Sequence, residues 1–126
     1  MIKNNYSQEL SYAVEAALKA GKYLLKNKSK LNVRIESRPK DTKLQADVEA
    51  ENLIKQSISS ISKYPILAEE SGKSVENLGD TFWVIDPLDG TANFSRDIPI
   101  CCVSIGLVRD MTVSYTHLTL PTILLV

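Results

Sequence analysis

Residues 83–94 read WVIDPLDGTANF, an apolar segment that runs directly into two aspartates. The first residues of this segment are aromatic or β-branched, which is typical of a buried strand. Pro87 has no backbone N–H to donate to a neighbouring strand, so it should end the strand and begin a tight turn. We therefore expect Asp86, Asp89 and the carbonyl of Leu88 to converge at the C-terminal end of a buried strand.

Acidic residues also follow a second apolar run of the chain. Ile66–Ala68 is typical of a short strand, and it ends at Glu69 and Glu70. Carboxylate and carbonyl oxygens are the ligands that Mg²⁺ prefers, in an octahedral geometry that leaves positions for water and substrate phosphate. The two strand ends together predict a magnesium site built from Glu69, Asp86 and Asp89.

Gly90 and Thr91 follow the second aspartate and suit a phosphate-binding backbone. Glycine lets the backbone approach a ligand closely, and a short helix over Thr91–Ser95 would direct free N–H groups at an anion. Bound cations and amide donors would then face the same phosphate group. The predicted chemistry is metal-assisted hydrolysis of a phosphate ester.

Each of these elements also has an ordinary structural interpretation. An Asp-x-x-Asp turn is more often a solvated or capping pair than a metal site, and two glutamates at a strand end often face solvent. Asp-Gly is moreover a common turn dipeptide. The conjunction of two acidic strand ends with a Gly-Thr helix start favours the functional interpretation.

The string WVIDPLDGTANF, together with AEES at residues 68–71, resembles the first signature of the inositol monophosphatase family. Its members are Mg²⁺-dependent, lithium-sensitive phosphatases. The match is long and ungapped, and NFSRDIPICCVSIGLV continues it. The resemblance implies an α+β layered sandwich, the first half of an αβαβα stack, because members of the family are much longer than this chain.

The resemblance also implies a role for each site residue. The metal ligands would be Glu69, Asp86, Asp89 and the carbonyl of Leu88. Thr91 and Asp47 would orient the attacking water, which would lie on the metal near Glu69. The N–H groups of Gly90 and Thr91 would hold phosphate oxygens, and Asp89 would also contact the substrate.

Two residues depart from the family pattern without removing a ligand. Ala68 stands where members usually have glycine, and Leu44 stands where they usually have threonine. A Trp-Asp motif supplies a further metal ligand in the family's second half, but Trp83, the only tryptophan, is followed by Val84. We therefore expect the chain as given to be inactive by itself.

Three functions are compatible with the resemblance. The first is a Mg²⁺-dependent phosphomonoesterase that hydrolyses inositol monophosphate or a related sugar phosphate with metal-activated water. The second keeps the chemistry but acts on a 3′(2′),5′-bisphosphate nucleotide or on fructose bisphosphate. The third is a non-catalytic regulatory binding protein. The resemblance further implies that the parent protein is a homodimer.

Composition favours a cytoplasmic protein whose partner is a small phosphate ester. Fifteen basic and fifteen acidic residues balance, which argues against nucleic acid or an anionic membrane as a partner. The N-terminus has no signal-peptide core, and no apolar run reaches the length that spans a membrane. Cys101 and Cys102 are adjacent in a predicted strand and are expected to be reduced core residues.

The end of the chain departs from the family pattern. Residues 113–122 read VSYTHLTLPT, which resembles the translation of a transposon-type sequencing adapter. We therefore interpret residues 1–112 as the N-terminal part of the family domain and residues 113–126 as a non-native tail, to be excluded from fold reasoning. The alternative is a genuine strand and turn. His117 lies in this tail and is assigned no role.

Apolar periodicity predicts the rest of the scaffold. One helix is expected over residues 8–26, with its core side formed by Leu10, Val14, Ala17, Leu18 and Leu25. A second helix is expected over residues 44–61, with Asp47 near its first turn. A polar loop is expected over residues 38–42, and a strand buried on both faces is expected over residues 100–108.

Overall fold

The computed structural model describes residues 7–38, 41–110 and 112–119, which form a mixture of helices and strands. The helices are α1 (Ser7–Lys26), α2 (Lys28–Leu31), α3 (Gln45–Ser59) and α4 (Thr91–Ser95). The strands are β1 (Arg34–Arg38), β2 (Asp41–Leu44), β3 (Ile66–Ala68), β4 (Gly72–Lys73), β5 (Thr81–Asp89), β6 (Cys102–Arg109) and β7 (Thr112–Thr119). None of the helices in this part of the chain combines the length and apolarity that crossing a membrane requires.

A five-stranded sheet forms the centre of the fold, with the strand order β4-β3-β5-β6-β7. β3 runs parallel to β5, whereas the other neighbouring pairs are antiparallel. β1 and β2 form a separate antiparallel hairpin. α1 and α3 pack on each other and on the sheet, with α3 over β5 and α1 over β6 and β7. The predicted α+β layered architecture is confirmed.

The buried side of α1 consists mainly of small side chains. The buried residues of the two helices are Ala13, Ala16, Ala17, Ala20, Gly21 and Leu24 on α1 and Ala46, Ala50, Ile54 and Ile58 among those on α3. The predicted core side of α1 is therefore partly wrong, since Leu18 is 41% exposed and Val14 and Leu25 are only half-buried. Short side chains on this side let α1 pack closely on α3 and on the sheet.

The sheet buries one of its faces against the helices. The inward residues of β5 and β6 are Trp83, Ile85, Val103, Ile105 and Leu107. The intervening residues of β6 are only half-buried, so the prediction of a strand buried on both faces is wrong. This strand also begins at Cys102, and Ile100 before it is 65% exposed. Alternation appears because, among the described elements, helices pack on one side of the sheet.

Pro87 does not end the strand as predicted. β5 continues to Asp89, and its pairing with β6 is irregular between Asp86 and Asp89. Proline is tolerated at such an irregularity because no ladder hydrogen bond is required from its nitrogen. The turn-like geometry is nevertheless present locally, since the Leu88 N–H donates to Asp86 Oδ1 at 3.2 Å.

The predicted polar loop over residues 38–42 is instead part of the β1–β2 hairpin. Residues 39 and 40 lie outside the described residues. The second predicted helix is present as α3, which begins at Gln45 directly after β2. The hairpin therefore delivers the chain straight into the helix that carries Asp47.

Candidate active site

The parallel pairing of β3 with β5 brings the first two acidic residues together. Ala68 lies opposite Ile85, and the Glu69 N–H donates to the Ile85 carbonyl at 3.0 Å. Glu69 and Asp86 are the next residues of the two strands, and their carboxyl groups are hydrogen-bonded to each other. Glu69 is exposed and Asp86 is half-buried, so this pair of carboxyl groups is open to solvent.

Contact between the two carboxyl groups raises the pKa of Glu69 to about 8. The hydrogen bond to Asp86 contributes most, followed by partial burial and by the negative charges of Asp86, Glu70 and Asp47. Two carboxyl groups this close disfavour ionisation, so Glu69 holds its proton more tightly than an isolated glutamate does. A divalent cation would relieve the same repulsion by displacing that proton.

Asp47 and Thr91 are joined from distant parts of the chain. Thr91 Oγ1 donates to Asp47 Oδ1 at 2.8 Å, and it also lies 3.1 Å from the Leu88 carbonyl. Asp47 Oδ2 accepts the N–H of Leu44 at 2.8 Å, which satisfies a free donor at the start of α3. The packing of α3 on β5 therefore places Asp47 beside the turn between β5 and α4.

Burial raises the pKa of Asp47 to about 6. Its side chain is only 1% exposed, and this loss of hydration outweighs the hydrogen bonds from Leu44 and Thr91, which favour the charged form. The nearby charges of Glu70 and Asp86 add to the upward shift. Asp47 can therefore exchange a proton near neutral pH, which suits an acid or base in catalysis.

Gly90 occupies a position that strongly favours glycine. Its φ is 98°, and a Cβ atom there would lie 2.8 Å from the Ile100 carbonyl oxygen and 3.0 Å from the Cys101 Cβ. The close approach is therefore to the chain's own backbone before β6. This tight contact fixes the turn that presents the N–H groups of Gly90 and Thr91.

Asp89 lies beside Cys102. It is exposed at the end of β5, and Cys102 Sγ lies 3.9 Å from its Oδ2. Across residues 7–38, 41–110 and 112–119, no three His, Cys, Asp or Glu side chains are gathered closely enough to hold one ion. The structure thus joins two of the three predicted carboxylate ligands and directs the third at Cys102.

The donor set still suits a hard cation. The predicted ligands are carboxylate oxygens and one backbone carbonyl, which match Mg²⁺ and similar ions rather than soft metals. The contact between the Glu69 and Asp86 carboxyl groups is the observation that supports this fit, because a cation bound there would relieve their mutual repulsion.

Sequence reasoning missed Glu51 and Lys43, which lie beside these groups. Glu51 is 2% exposed, and its Oε1 accepts the N–H of Glu70 at 2.8 Å. The Glu70 carboxylate pairs with Lys43 Nζ at 3.1 Å. The signal for Glu51 was its spacing of four residues from Asp47, which places both acids on one face of α3.

A sequence model of the inositol monophosphatase family matches residues 5–121. This chain belongs to that family. Curated relatives agree with the assignment: the inositol-1-monophosphatase of Synechocystis sp. is 40% identical over 101 residues, which are 79% of this chain and 35% of the relative. Inositol monophosphatase 1 of Rattus norvegicus is 39% identical over 113 residues, or 84% of this chain and 40% of the relative.

Family members of known structure share the fold. The SuhB protein of Bartonella henselae superposes with a TM-score of 0.81 at 31% identity, covering 92% of this chain and 46% of that one. The Thermotoga maritima IMPase gives a TM-score of 0.78 at 28% identity, covering 91% of this chain and 45% of that one. The chain spans about two-fifths of the length of the curated relatives it matches.

The C-terminal segment carries both a family match and the unusual sequence. The family match extends to residue 121, and β7 pairs with β6 over Thr112–Thr119. Residues 120–126 lie outside the described residues. The interpretation of residues 113–126 as a non-native tail stays a prediction.

Proposed function

We propose that this chain contributes the metal-binding and water-orienting part of a Mg²⁺-dependent phosphomonoesterase. The substrate is inositol monophosphate or a related sugar phosphate. The observation that carries the proposal is the 2.8 Å hydrogen bond between Thr91 and Asp47, made beside the paired carboxyl groups of Glu69 and Asp86. Family membership supports the same chemistry.

In this proposal, Glu69, Asp86, Asp89 and the carbonyl of Leu88 are the residues that would hold the cation. When bound, Mg²⁺ would supply Lewis acidity toward the attacking water and the phosphate. The Asp47 carboxylate accepts the Thr91 hydroxyl hydrogen, which leaves the lone pairs of Thr91 Oγ1 to accept a hydrogen from the attacking water.

The proton of that water then has a defined path. It passes to Thr91 Oγ1 while the hydroxyl hydrogen of Thr91 moves to Asp47, whose pKa of about 6 makes it a suitable acceptor near neutral pH. The N–H groups of Gly90 and Thr91 hold phosphate oxygens as charge develops there. The water oxygen bonds to phosphorus as the ester P–O bond breaks, and the departing sugar oxygen takes a proton from solvent, so no covalent phosphoenzyme forms.

Phosphate release from the complete protein tests this proposal. Inositol 1-phosphate, a 3′,5′-bisphosphate nucleotide and fructose 1,6-bisphosphate should be compared with and without Mg²⁺, and with Li⁺ as an inhibitor. We expect Mg²⁺-dependent release, fastest from inositol 1-phosphate. Turnover that is independent of Mg²⁺, or absent with all three esters, contradicts the proposal.

A second candidate is a regulatory binding function without catalysis. The observation that favours it is 40% identity over 102 residues to a Salmonella typhimurium protein named Nus factor SuhB, covering 78% of this chain and 38% of that protein. An Asp89→Asn variant separates the two functions, because partner capture should survive in it while turnover should be lost. Assembly as a homodimer and a cytoplasmic location belong to the leading proposal and follow from the family alone.

A further inference from the structure

Glu51 is a buried acid for which the proposed mechanism has no use. It lies on α3 four residues after Asp47 and is 2% exposed. A buried carboxylate is unfavourable unless hydrogen bonds compensate for its lost hydration. Glu51 Oε1 accepts the backbone N–H of Glu70 at 2.8 Å, a bond that the charge of the acceptor strengthens.

The amide that Glu51 binds belongs to the residue directly after Glu69. The N–H of Glu69 itself donates to the Ile85 carbonyl at 3.0 Å. Two consecutive N–H groups are thus anchored to different elements, one to β5 and one to α3. This double anchor fixes the backbone on both sides of the Glu69 Cα, and so it sets the direction in which the Glu69 side chain leaves the chain.

The side chain of Glu70 is directed elsewhere. Its carboxylate pairs with Lys43 Nζ on β2 at 3.1 Å, and it is much less exposed than Glu69. An ion pair of this kind offsets the second negative charge at the turn. Glu69 therefore meets Asp86, while Glu70 meets Lys43.

We infer that Glu51 is a positioning residue, which directs the Glu69 carboxylate toward Asp86 by holding the Glu70 amide. The inference rests on the proposed function, because it matters only if Glu69 binds the cation. Outer partners that orient metal ligands typically change metal affinity by about 10- to 100-fold when they are removed.

Two conservative variants distinguish positioning from charge. Glu51→Gln keeps the side-chain length and an acceptor oxygen but loses the charge, whereas Glu51→Asp keeps the charge but withdraws the acceptor by one methylene. We expect Glu51→Asp to weaken Mg²⁺ binding by about 10- to 100-fold and Glu51→Gln to stay close to wild type. Calorimetric Mg²⁺ titration of the complete protein measures the Mg²⁺ affinities of the two variants relative to wild type.

Amide hydrogen exchange gives a second measurement that does not depend on the cation. The Glu70 amide should exchange faster in Glu51→Asp and remain protected in Glu51→Gln, measured without Mg²⁺. Glu51→Ala removes the acceptor entirely and replaces Glu51→Asp if that variant does not fold. Glu49→Gln is the matched control, because Glu49 lies on the same helix but accepts from Tyr23 Oη at 2.6 Å, away from the turn.

Three results overturn the inference. The first is weaker Mg²⁺ binding in Glu51→Gln than in Glu51→Asp, which would assign the effect to charge. The second is unchanged Mg²⁺ affinity in the shortened variant despite a lower melting temperature, which would make Glu51 structural only. The third is wild-type protein that neither binds Mg²⁺ nor hydrolyses a phosphate ester, which overturns the proposed function as well.

Discussion

Thr91 illustrates how one hydroxyl group can serve two partners at the residue scale. Its Oγ1 lies 2.8 Å from Asp47 Oδ1 and 3.1 Å from the Leu88 carbonyl, but it has a single hydrogen to donate. The ionised form of Asp47 attracts that hydrogen more strongly than a neutral carbonyl does. The protonation state of Asp47 therefore decides which way the Thr91 hydroxyl points.

Replacing Thr91 with valine should separate water orientation from metal binding. Thr91→Val keeps the branched shape but has no hydroxyl, so we expect turnover to fall by about 100-fold or more while Mg²⁺ affinity stays unchanged. Steady-state kinetics and Mg²⁺ titration check this. Thr91→Ser should keep most of the activity, and Thr81→Val at the far end of β5 is the control. Equal turnover in Thr91→Val and wild type would refute the role.

Gly90→Ala should destabilise the fold through a steric contact. Its φ of 98° disfavours any side chain, and the added Cβ would lie 2.8 Å from the Ile100 carbonyl oxygen. Gly79 is a matched control, since its φ is 71° but nothing lies within 4 Å of the added atom. We expect a loss of about 1–3 kcal/mol in the free energy of unfolding for Gly90→Ala and a smaller loss for Gly79→Ala, measured by urea denaturation. Equal losses would show that the contact is unimportant.

At the scale of helices and strands, the predictions failed where tertiary contacts overrode local pattern. Leucines at helical spacing on α1 suggested a core side, but the chain uses its alanines there because α1 lies directly against α3. Pro87 suggested a strand end, but the pairing irregularity between Asp86 and Asp89 accommodates it. Sequence pattern identifies an amphipathic helix, whereas the partner helix decides which residues of it are buried.

The tightness of the α1–α3 contact leads to a test at this scale. Ala17 is 0% exposed, so Ala17→Leu should overpack the buried side of α1 and lower the free energy of unfolding by about 1–3 kcal/mol. Leu18→Ala should cost less, because Leu18 is 41% exposed. Urea denaturation of both variants measures the difference. A larger loss for Leu18→Ala would restore the interpretation in which leucines form the core side.

At the scale of the whole molecule, the sequence was sufficient to identify the acidic site residues but not to predict how they are arranged in space. Strand-ending carboxylates could be recognised because apolar runs stop at Glu69 and at Asp86. The parallel register that brings these two together depends on the pairing of β3 with β5, which no local pattern encodes. The same applies to Glu51, whose partner is a backbone group nineteen residues away.

We expect the carboxyl cluster to make the stability of the whole chain depend on pH and on Mg²⁺. Asp47 and Glu69 have pKa values of about 6 and about 8, above their ordinary values of 3.8 and 4.5. For acids with raised pKa values, the folded state retains protons that the unfolded state releases. Their stabilising contribution is therefore complete below about pH 4 and is lost as the pH rises through 6 and 8.

Asp47 and Glu69 contribute to the free energy of unfolding of the Mg²⁺-free protein. We expect this contribution to decline between pH 5 and pH 8. Mg²⁺ should offset the decline at pH 8, because the cation would neutralise the charge that builds up beside Asp86 when Glu69 loses its proton. Urea denaturation across this pH range, with and without Mg²⁺ at constant ionic strength, measures both effects.

Asp86→Asn is the control: it removes the partner that raises the pKa of Glu69, so the decline near pH 8 and its reversal by Mg²⁺ should both shrink. A pH dependence identical in wild type and Asp86→Asn would mean that the two carboxyl groups do not interact in solution, and the cation site proposed between them would lose its physical basis.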